Sequence, residues 1–411
     1  MKIPLFLLFF IGKMAFLYSQ ELQKIRINPD QAYGGPVSDY FQNIEYIPLE
    51  TTKESLFGDV SDMVVTGDSY VIYDWDTKSV FFFKKKNGKF LTKKNFSQDA
   101  SINISYIKDS NSIIVNVGRS NQLKSDIYSF SSLGEPMKSV AFSRDNKFDN
   151  GSKLISIEKD YFLVSGNSHL SPGKKPSSDT SYLLNVYKNN TFHKGLMPVT
   201  QINNIAICML HGYLNVGNVV PQDSMFLAMP LNNVIYKVTK DTAVPVFQLI
   251  FPATRIVDPN IITGNDVKKI SVLREKLYKD QNTILTISNI FYHKKDLFFK
   301  VNPRVYTTYA GSNSEGQYNF IYNTSNGTLA SLERMQSDSS SYYLPIFGQH
   351  LRVNGLYYSN DIYTTVSSLQ MFSAQQENKT KNPKYPLILQ DYFKTQNRKS
   401  NPVIVRMKLK D

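Results

Sequence analysis

Short segments rich in aromatic and β-branched residues recur six times along the chain, and most precede a turn and a second strand-like segment. The six cores lie at residues 80–83, 127–130, 185–187, 234–236, 320–322 and 403–405. Their starts are roughly 50 to 85 residues apart, which fits one four-stranded blade with loop insertions and no helical unit. The repeat therefore predicts an all-β fold, a six-bladed β-propeller.

The two ends of this repeat are unequal. The core at residues 403–405 has no fourth strand after it, whereas an extra strand-like segment, residues 42–50, precedes the first complete unit. We predict that this N-terminal strand pairs beside residues 402–408 and completes the sixth blade, because closure protects edges that would otherwise stay open. One propeller domain then covers residues 42–411, after a lead-in segment of residues 20–41.

Two stretches depart from the strand pattern. Residues 265–280, between the fourth and fifth blades, place apolar side chains at helical spacing, and residues 386–396, inside the sixth blade, do so in part. We predict a short helical insertion at each place. In the sixth blade we assign the first two strands to residues 346–353 and 355–359. Residues 360–400 then form a long connection that holds the second helix.

The N-terminal residues 1–19 have the layout of a secretory signal peptide. Lys2 precedes an apolar run that is too short to span a bilayer, and small Ser19 ends the segment. We expect a periplasmic or secreted protein without a membrane span. The single cysteine, Cys208, cannot form an intramolecular disulfide, and its apolar neighbours place it in the core.

The formal net charge is +13, and short lysine clusters occur at several predicted turns. One explanation is an anionic partner such as nucleic acid, an acidic glycan or a membrane surface. The other is that lysines keep hairpin tips and edge strands soluble. We favour the second explanation because the clusters are short and scattered. We therefore expect a monomer that binds no nucleic acid.

Signatures of catalysis are missing from the sequence. None of the five histidines belongs to a zincin motif, and no Gly-x-Ser-x-Gly elbow or glycine-rich phosphate loop occurs. We expect no metal and no cofactor. Asp74 and Asp76 flank the only tryptophan, Trp75, and we interpret them as turn-forming rather than catalytic or calcium-binding. A glycosidase remains an open alternative, because its paired carboxylates can lie far apart in sequence.

Three stretches carry a resemblance to known proteins. They are residues 34–41 leading into 46–52, residues 74–83 with the sequence Asp-Trp-Asp-Thr-Lys-Ser, and residues 400–405 with Ser-Asn-Pro-Val-Ile-Val. Together they resemble a family of exported bacterial six-bladed β-propellers, common in Gram-negative anaerobes of the gut. The resemblance covers nearly the whole mature chain and implies the fold, but it implies no active site. Residues 95–101 lack the Gly-Pro-Gly-Glu-type loop of many members.

The longest predicted connections share one face of the propeller. They lie at residues 117–126, 165–181, 265–280, 301–318 and 360–400. Long loops on one face of a rigid scaffold are where ligands usually bind. Six residues in or beside the connections of this face combine stacking surfaces with anion-pairing donors. These predicted ligand-binding residues are Trp75, Arg119, His169, Arg304, Tyr306 and Tyr309.

The sequence favours a binding module over an enzyme, because no catalytic signature is visible. Its ligand would be a small molecule, a glycan, a peptide or a protein. The alternative is a glycan-acting hydrolase or lyase whose carboxylates come from different blades. Clustered acids with perturbed protonation in one deep pocket would favour the enzyme. A shallow face of aromatic and basic side chains would favour binding.

Overall fold

The computed structural model describes residues 22–119, 126–138, 154–165, 182–188, 191–198, 225–229, 231–257, 272–273, 275–276, 282–302, 318–348, 356–358 and 361–410. Six β-sheets form the six blades of a β-propeller, as predicted. The strands of blades one to three are Asp62–Val65, Ser69–Asp74, Ser79–Lys84 and Phe90–Asn95; Ala100–Ile107, Ser112–Arg119 and Asp126–Ser131; and Leu154–Glu158, Tyr161–Ser165, Tyr182–Lys188 and Thr191–Pro198. Those of blades four to six are Met225–Ala228, Val234–Val238 and Ala243–Ile250; Thr286–His293, Asp296–Asn302, Tyr318–Asn323 and Leu329–Gln336; and Leu356–Tyr358, Asp361–Val366 and Val403–Leu409.

Packing between blades explains the continuous apolar runs of the sequence. The first strands of blades six, one, two and three contact their neighbours in turn, which places them towards the centre of the ring. In blade one, alternate side chains pack in opposite directions: Val71 and Phe82 against blade two, and Ile72 and Phe81 against blade six. Because both faces of a blade are covered, its inner strands need no polar face.

The N-terminal strand Phe41–Pro48 closes the propeller. It pairs antiparallel with Val403–Leu409 as the outermost strand of blade six, with Ile47 opposite Ile404 and Tyr46 opposite Val405. The predicted closure is therefore confirmed. The two ends of the chain thus pair in one sheet. The N-terminal strand covers the edge that Val403–Leu409 would otherwise leave unpaired.

The lead-in segment adds two strands that the sequence analysis does not assign. Gln23–Arg26 pairs in parallel with the outer strand of blade four, and Tyr33–Pro36 pairs in parallel with the outer strand of blade five. Arg334 Nη1 donates to the carbonyl oxygens of Asp30 (3.1 Å) and Ala32 (2.6 Å) between these strands. The N-terminal segment thus forms the outermost strand of three consecutive blades.

Blade six differs from its predicted strand positions. Leu356–Tyr358 is the first strand and the buried segment Asp361–Val366 is the second, so the assignment of residues 355–359 to the second strand is wrong by one strand. The predicted helix within residues 386–396 is confirmed as Leu387–Thr395. A further helix, Ser368–Glu377, precedes it and was not predicted. Its capping box, in which Ser367 and Gln370 bond reciprocally, is a recognisable start signal.

Several predictions fall on residues outside the described ranges. These are the signal peptide at residues 1–19, Cys208 and most of the helical insertion at residues 265–280. In blade two, the described residues after the third strand include Pro136, which forms an isolated bridge with Phe130.

Asp338 holds the lead-in segment to the end of blade five. Its carboxylate accepts hydrogen bonds from the backbone N–H groups of Ser38 and Ser340, both at 2.8 Å, and from the Ser340 hydroxyl at 2.6 Å. Partial burial raises the pKa of this carboxyl, but the hydrogen bonds outweigh it and lower the pKa to about 2. Because the unfolded chain has a pKa near 3.9, the ionised form stabilises the fold.

We expect Asp338→Asn to lower the free energy of unfolding at pH 7 by about 1–2 kcal/mol, a value reduced for solvent screening of this partly exposed group. The wild-type advantage is present above about pH 4 and disappears as the pH falls through about 2, because both chains are then uncharged at this position. Urea midpoints at pH 7 and pH 2 measure this. Asp391→Asn, on an exposed helix position, is the control. An equal loss at both pH values contradicts the assignment.

Candidate ligand-binding site

Two faces of the propeller differ in their connections. One face is formed by the connections between the second and third strands of each blade and by those between successive blades, and we call it the loop face. The turn face is the opposite one, formed by connections between first and second and between third and fourth strands. Within the described residues, the loop face carries the tight turn after Ser69–Asp74, the connection of residues 49–61, and the helices Ser368–Glu377 and Leu387–Thr395.

A buried aspartate builds the turn that presents Trp75. Asp74 is fully buried at the end of its strand. Its carboxylate accepts from the Thr77 hydroxyl at 2.7 Å and from the backbone N–H groups of Asp76 and Thr77 at 3.3 Å. The same carboxylate contacts the backbone N–H groups of Gly58 and Asp59 in the neighbouring connection, at 3.5 and 3.4 Å. Asp74 therefore forms the turn, as interpreted from sequence.

Trp75 is an exposed aromatic side chain on a fixed backbone. Its indole is 45% exposed, while its backbone N–H donates to Ser61 Oγ at 2.9 Å. The Lys78 ammonium lies over the ring, 3.0 Å from its centroid, although Lys78 itself is only 6% exposed. Burial lowers the pKa of Lys78, and this effect outweighs those of Asp76 and Asp74, which raise the pKa. The ammonium of a buried lysine thus lies over the indole, and 45% of the Trp75 side chain stays exposed to solvent.

A second buried polar side chain fixes the connection beside this turn. Asn401 is fully buried, and its Nδ2 donates to the carbonyl oxygens of Glu50 (2.8 Å) and Ser55 (2.9 Å). Its Oδ1 accepts from the backbone N–H of Phe57 at 3.2 Å. Asn401 and Asp74 together hold residues 50–59 in place, so the surroundings of Trp75 are ordered by buried hydrogen bonds.

Carboxylates lie near the turn that carries Trp75. A β-carbon at Gly58 would lie only 3.5 Å from Asp76 Oδ2, which shows how closely this carboxylate approaches the connection. The ring of Tyr73 meets that of Trp75 edge to face, with centroids 6.4 Å apart. Burial raises the pKa of the Tyr73 hydroxyl, and Asp74, Asp62 and Asp76 raise it further. Three carboxylates, those of Asp62, Asp74 and Asp76, therefore act on the Tyr73 hydroxyl, while the Lys78 ammonium lies over the neighbouring indole.

Of the six predicted ligand-binding residues, two are described. Trp75 belongs to blade one, and Arg119 ends the second strand of the adjacent blade at the same face. Arg119 Nη2 lies 3.5 Å from Asp126 Oδ2 in a partly exposed ion pair. The two side chains thus share a face but take part in different contacts. The remaining four, His169, Arg304, Tyr306 and Tyr309, lie outside the described residues.

Sequence reasoning missed two residues that shape the site. Lys78 lies in the motif Asp-Trp-Asp-Thr-Lys-Ser, but only its left-handed backbone (φ 49°) places its ammonium against the indole. Asn401 lies in the motif Ser-Asn-Pro, which resembles a turn signal. No local pattern indicates that its amide bonds to residues 50–57, about 350 positions earlier in the chain.

Other buried titratable groups lie within the blades. Burial lowers the pKa of Lys300 to about 8, and this effect outweighs that of Glu333, which raises the pKa. Lys300 is 4% exposed, so a ligand on the surface cannot reach its amine. A cavity of about 20 Å³ between blades five and six has a mainly phenylalanine lining and accommodates no more than a water molecule. In the part of the chain that the structure describes, no three acidic, histidine or cysteine side chains are placed to hold a metal ion.

The chain belongs to the family described as a domain of unknown function, DUF4934, whose model matches residues 24–408. This match and the six blades confirm the family resemblance. Among curated proteins, no sequence matches this chain significantly. Within the described residues, no helix is long and apolar enough to cross a membrane.

Three solved structures are similar to this chain to different degrees. A Bacteroides fragilis protein inferred to be exported is 13% identical, with a TM-score of 0.61 over 95% of this chain and all of its own. A member of the duf4221 family from Bacteroides vulgatus is 9% identical, with a TM-score of 0.39 over 90% of this chain and 99% of its own. A luciferin-regenerating enzyme is 11% identical, with a TM-score of 0.41 over 90% and 97% of the two chains. At 13% identity the likeness to the Bacteroides fragilis protein concerns the fold alone.

Proposed function

We propose that this protein is an exported binding module that recognises its ligand on the loop face, with Trp75 as a central contact surface. The observation that carries the proposal is an indole that is 45% exposed on a turn whose backbone is held by the Ser61 hydroxyl and by the buried Asp74 carboxylate. A rigid, exposed aromatic ring loses little conformational entropy on binding, and such rings are frequent hot spots of recognition.

Export is supported by two observations. Residues 1–19 have the layout of a signal peptide. A structurally similar Bacteroides fragilis protein is itself inferred to be exported. We assign the protein to the periplasm or the exterior. Arg119, His169, Arg304, Tyr306 and Tyr309 are the further residues that we propose to contact the ligand, since they belong to the loop face by their sequence positions.

We expect Trp75→Ala to weaken ligand binding about tenfold or more, because it removes the stacking surface without touching the buried Asp74. The purified exported protein is screened on arrays of glycans and peptides, and affinities of hits are compared between variants by calorimetry. Phe192→Ala is the matched control, because Phe192 is 52% exposed and lies near the turn face. Arg119→Ala and Arg304→Ala test the other proposed contacts.

Two results contradict this proposal. If Trp75→Ala, Arg119→Ala and Arg304→Ala all bind a hit as tightly as the wild type, the ligand does not lie on the loop face. If the purified protein converts a glycan into products that chromatography separates, the protein is a glycan-acting enzyme and not a binding module alone.

A further inference from the structure

The helical insertion of blade six concentrates exposed cations on the loop face. Residues 377–400, which we call the basic surface, contain six basic and two acidic side chains, the acidic ones being Glu377 and Asp391. All six basic residues are exposed: Lys379, Lys381, Lys384, Lys394, Arg398 and Lys399. Among the described residues, the ion pairs involve other cations, and none of these six forms one. The charge of the basic surface is therefore not neutralised within the fold.

Contacts between the two helices keep these cations together. Arg398, which follows the second helix, donates from Nη2 to Gln376 Oε1 at 2.9 Å, at the end of the first helix. Phe372 of the first helix packs on Tyr392 and Phe393 of the second, with ring centroids 5.4 and 5.3 Å apart. The cations that follow the first helix and those that follow the second thus lie on neighbouring parts of one surface.

The second helix also exposes two adjacent aliphatic side chains. Leu387 is 77% exposed and Ile388 is 40% exposed, whereas Leu389 and Tyr392 of the same helix are buried. At 3.6 residues per turn, Leu387 and Lys394 lie on one side of the helix, opposite Leu389. The helix therefore packs on the propeller by one face and presents aliphatic side chains beside a cation on the other.

This combination matches the interface of an anionic lipid bilayer. Clusters of about 4–8 lysines and arginines on a helical surface are attracted to anionic headgroups. Exposed aliphatic side chains leave water when they enter the boundary between headgroups and acyl chains, while lysine stems keep their ammonium groups at the headgroups. A soluble polyanion would pair with the cations but would leave Leu387 and Ile388 in water. The exposed aliphatic pair thus favours the bilayer.

We propose that the basic surface docks the exported protein onto an anionic lipid bilayer, with Leu387 and Ile388 entering the headgroup boundary. The six cations interact with the lipid phosphates around them. Because the buried Leu389 and Tyr392 hold the helix on the propeller, the surface is preformed and docking orders little of the chain. This docking does not depend on ligand recognition at Trp75.

Flotation of lipid vesicles measures the docking. The full exported chain is mixed with vesicles of phosphatidylcholine alone and with vesicles of phosphatidylcholine and phosphatidylglycerol in equal parts. We expect about tenfold or stronger partitioning onto the anionic vesicles than onto the neutral ones. This partitioning should weaken as the salt concentration rises, because salt shortens the range of attraction between exposed charges.

Two charge variants with the same change in net charge locate the docking surface. The first removes three exposed cations of the basic surface, by Lys379→Gln, Lys384→Gln and Lys394→Gln. The second removes three exposed cations of a hairpin on the opposite turn face, by Lys84→Gln, Lys86→Gln and Lys89→Gln. We expect the first variant to lose about tenfold or more of its partitioning onto anionic vesicles, and the second less than about twofold.

An aliphatic variant tests entry into the bilayer. Leu387→Ser combined with Ile388→Ser should weaken partitioning about tenfold and preserve its dependence on salt, because the cations remain. The control combines Val244→Ser with Ile250→Ser, two positions that are each 40% exposed on the outer strand of blade four. It should partition like the wild type. Circular dichroism of each variant verifies that the propeller is folded.

Three results overturn the proposal. One is equal partitioning onto neutral and anionic vesicles, or none onto either. Another is an equal loss in the two lysine variants, which would make the attraction a matter of net charge and not of this surface. The third is binding of heparin or of an acidic peptide by a chain that does not float with anionic vesicles, which would assign the cations to a soluble partner.

Discussion

A chain that begins at residue 49 is expected to show no cooperative unfolding transition. This truncation removes Phe41, Ile44, Tyr46 and Ile47, which are all buried. At about 1.5–3 kcal/mol for each buried apolar side chain, the loss is on the order of 10 kcal/mol, comparable to the whole stability of a typical domain. It also uncovers the edge of Val403–Leu409 and removes the bonds of the Tyr46 hydroxyl to the carbonyl oxygens of Ser341 and Leu344.

A second truncation distinguishes the effect of losing ring closure from the effect of losing the two lead-in strands. A chain that begins at residue 37 loses Gln23–Arg26 and Tyr33–Pro36 but keeps the closing strand. We expect it to be destabilised and still to unfold cooperatively, because the ring remains closed. Thermal unfolding followed by circular dichroism, with light scattering for aggregation, measures both. A chain from residue 49 that stays soluble and melts cooperatively near the wild-type temperature is incompatible with the closure argument.

Asn401→Ala is expected to lower the free energy of unfolding by about 2–4 kcal/mol. The substitution leaves the Phe57 N–H and the Ser55 carbonyl without their buried partner, and unsatisfied buried groups cost more than an average hydrogen bond contributes. The Glu50 carbonyl keeps a bond from Ser55 Oγ at 2.7 Å. Chemical unfolding of both proteins at pH 7 gives the difference.

The control for this substitution is another amide at the closing strand. Gln42 is exposed, and its Nε2 donates to the Leu409 carbonyl at 3.3 Å. Gln42→Ala should change stability by less than about 0.5 kcal/mol. Asn401→Asp adds a mechanistic check, because its ionised carboxylate would face the carbonyl oxygens that now accept from Nδ2. It should be more harmful than Asn401→Ala at pH 7 and recover in acid, where the protonated group donates again. Equal effects of Asn401→Ala and Gln42→Ala would refute the role of Asn401.

The position of Trp75 in the fold could be predicted from the sequence, whereas its role in binding stays a prediction. Trp75 is the only tryptophan and follows a predicted strand, so its place on a loop-face turn could be inferred. Its exposure and the cation beneath it could not, because both depend on the conformation of Lys78. The acidic surroundings arise from residues 58–62 and 74–76, which come together only when two connections pack side by side.

The number of blades and the closure of the ring were determined by the sequence alone. Strand cores at regular intervals, Asn-Gly turns such as residues 87–88, and an extra N-terminal strand are local patterns. Successive strands such as those of blade one pair over short distances in the chain, and the extra strand fills the one place that blade six leaves empty. The same patterns made Asp361–Val366 detectable, with its β-branched and aromatic residues. The sequence-based assignment of the second strand of blade six to residues 355–359 leaves Asp361–Val366 in the connection that follows.

Only the tertiary structure decided the path of residues 22–36 and the organisation of the site. The segment around Gly34 and Pro36 has weak strand preference, and it is extended because open outer edges of blades four and five offer it hydrogen bonds. Asn401 bonds to residues from the other end of the chain because ring closure makes the two ends neighbours. Local propensities carry no information about such pairs, since the contacts exist only once the propeller has formed.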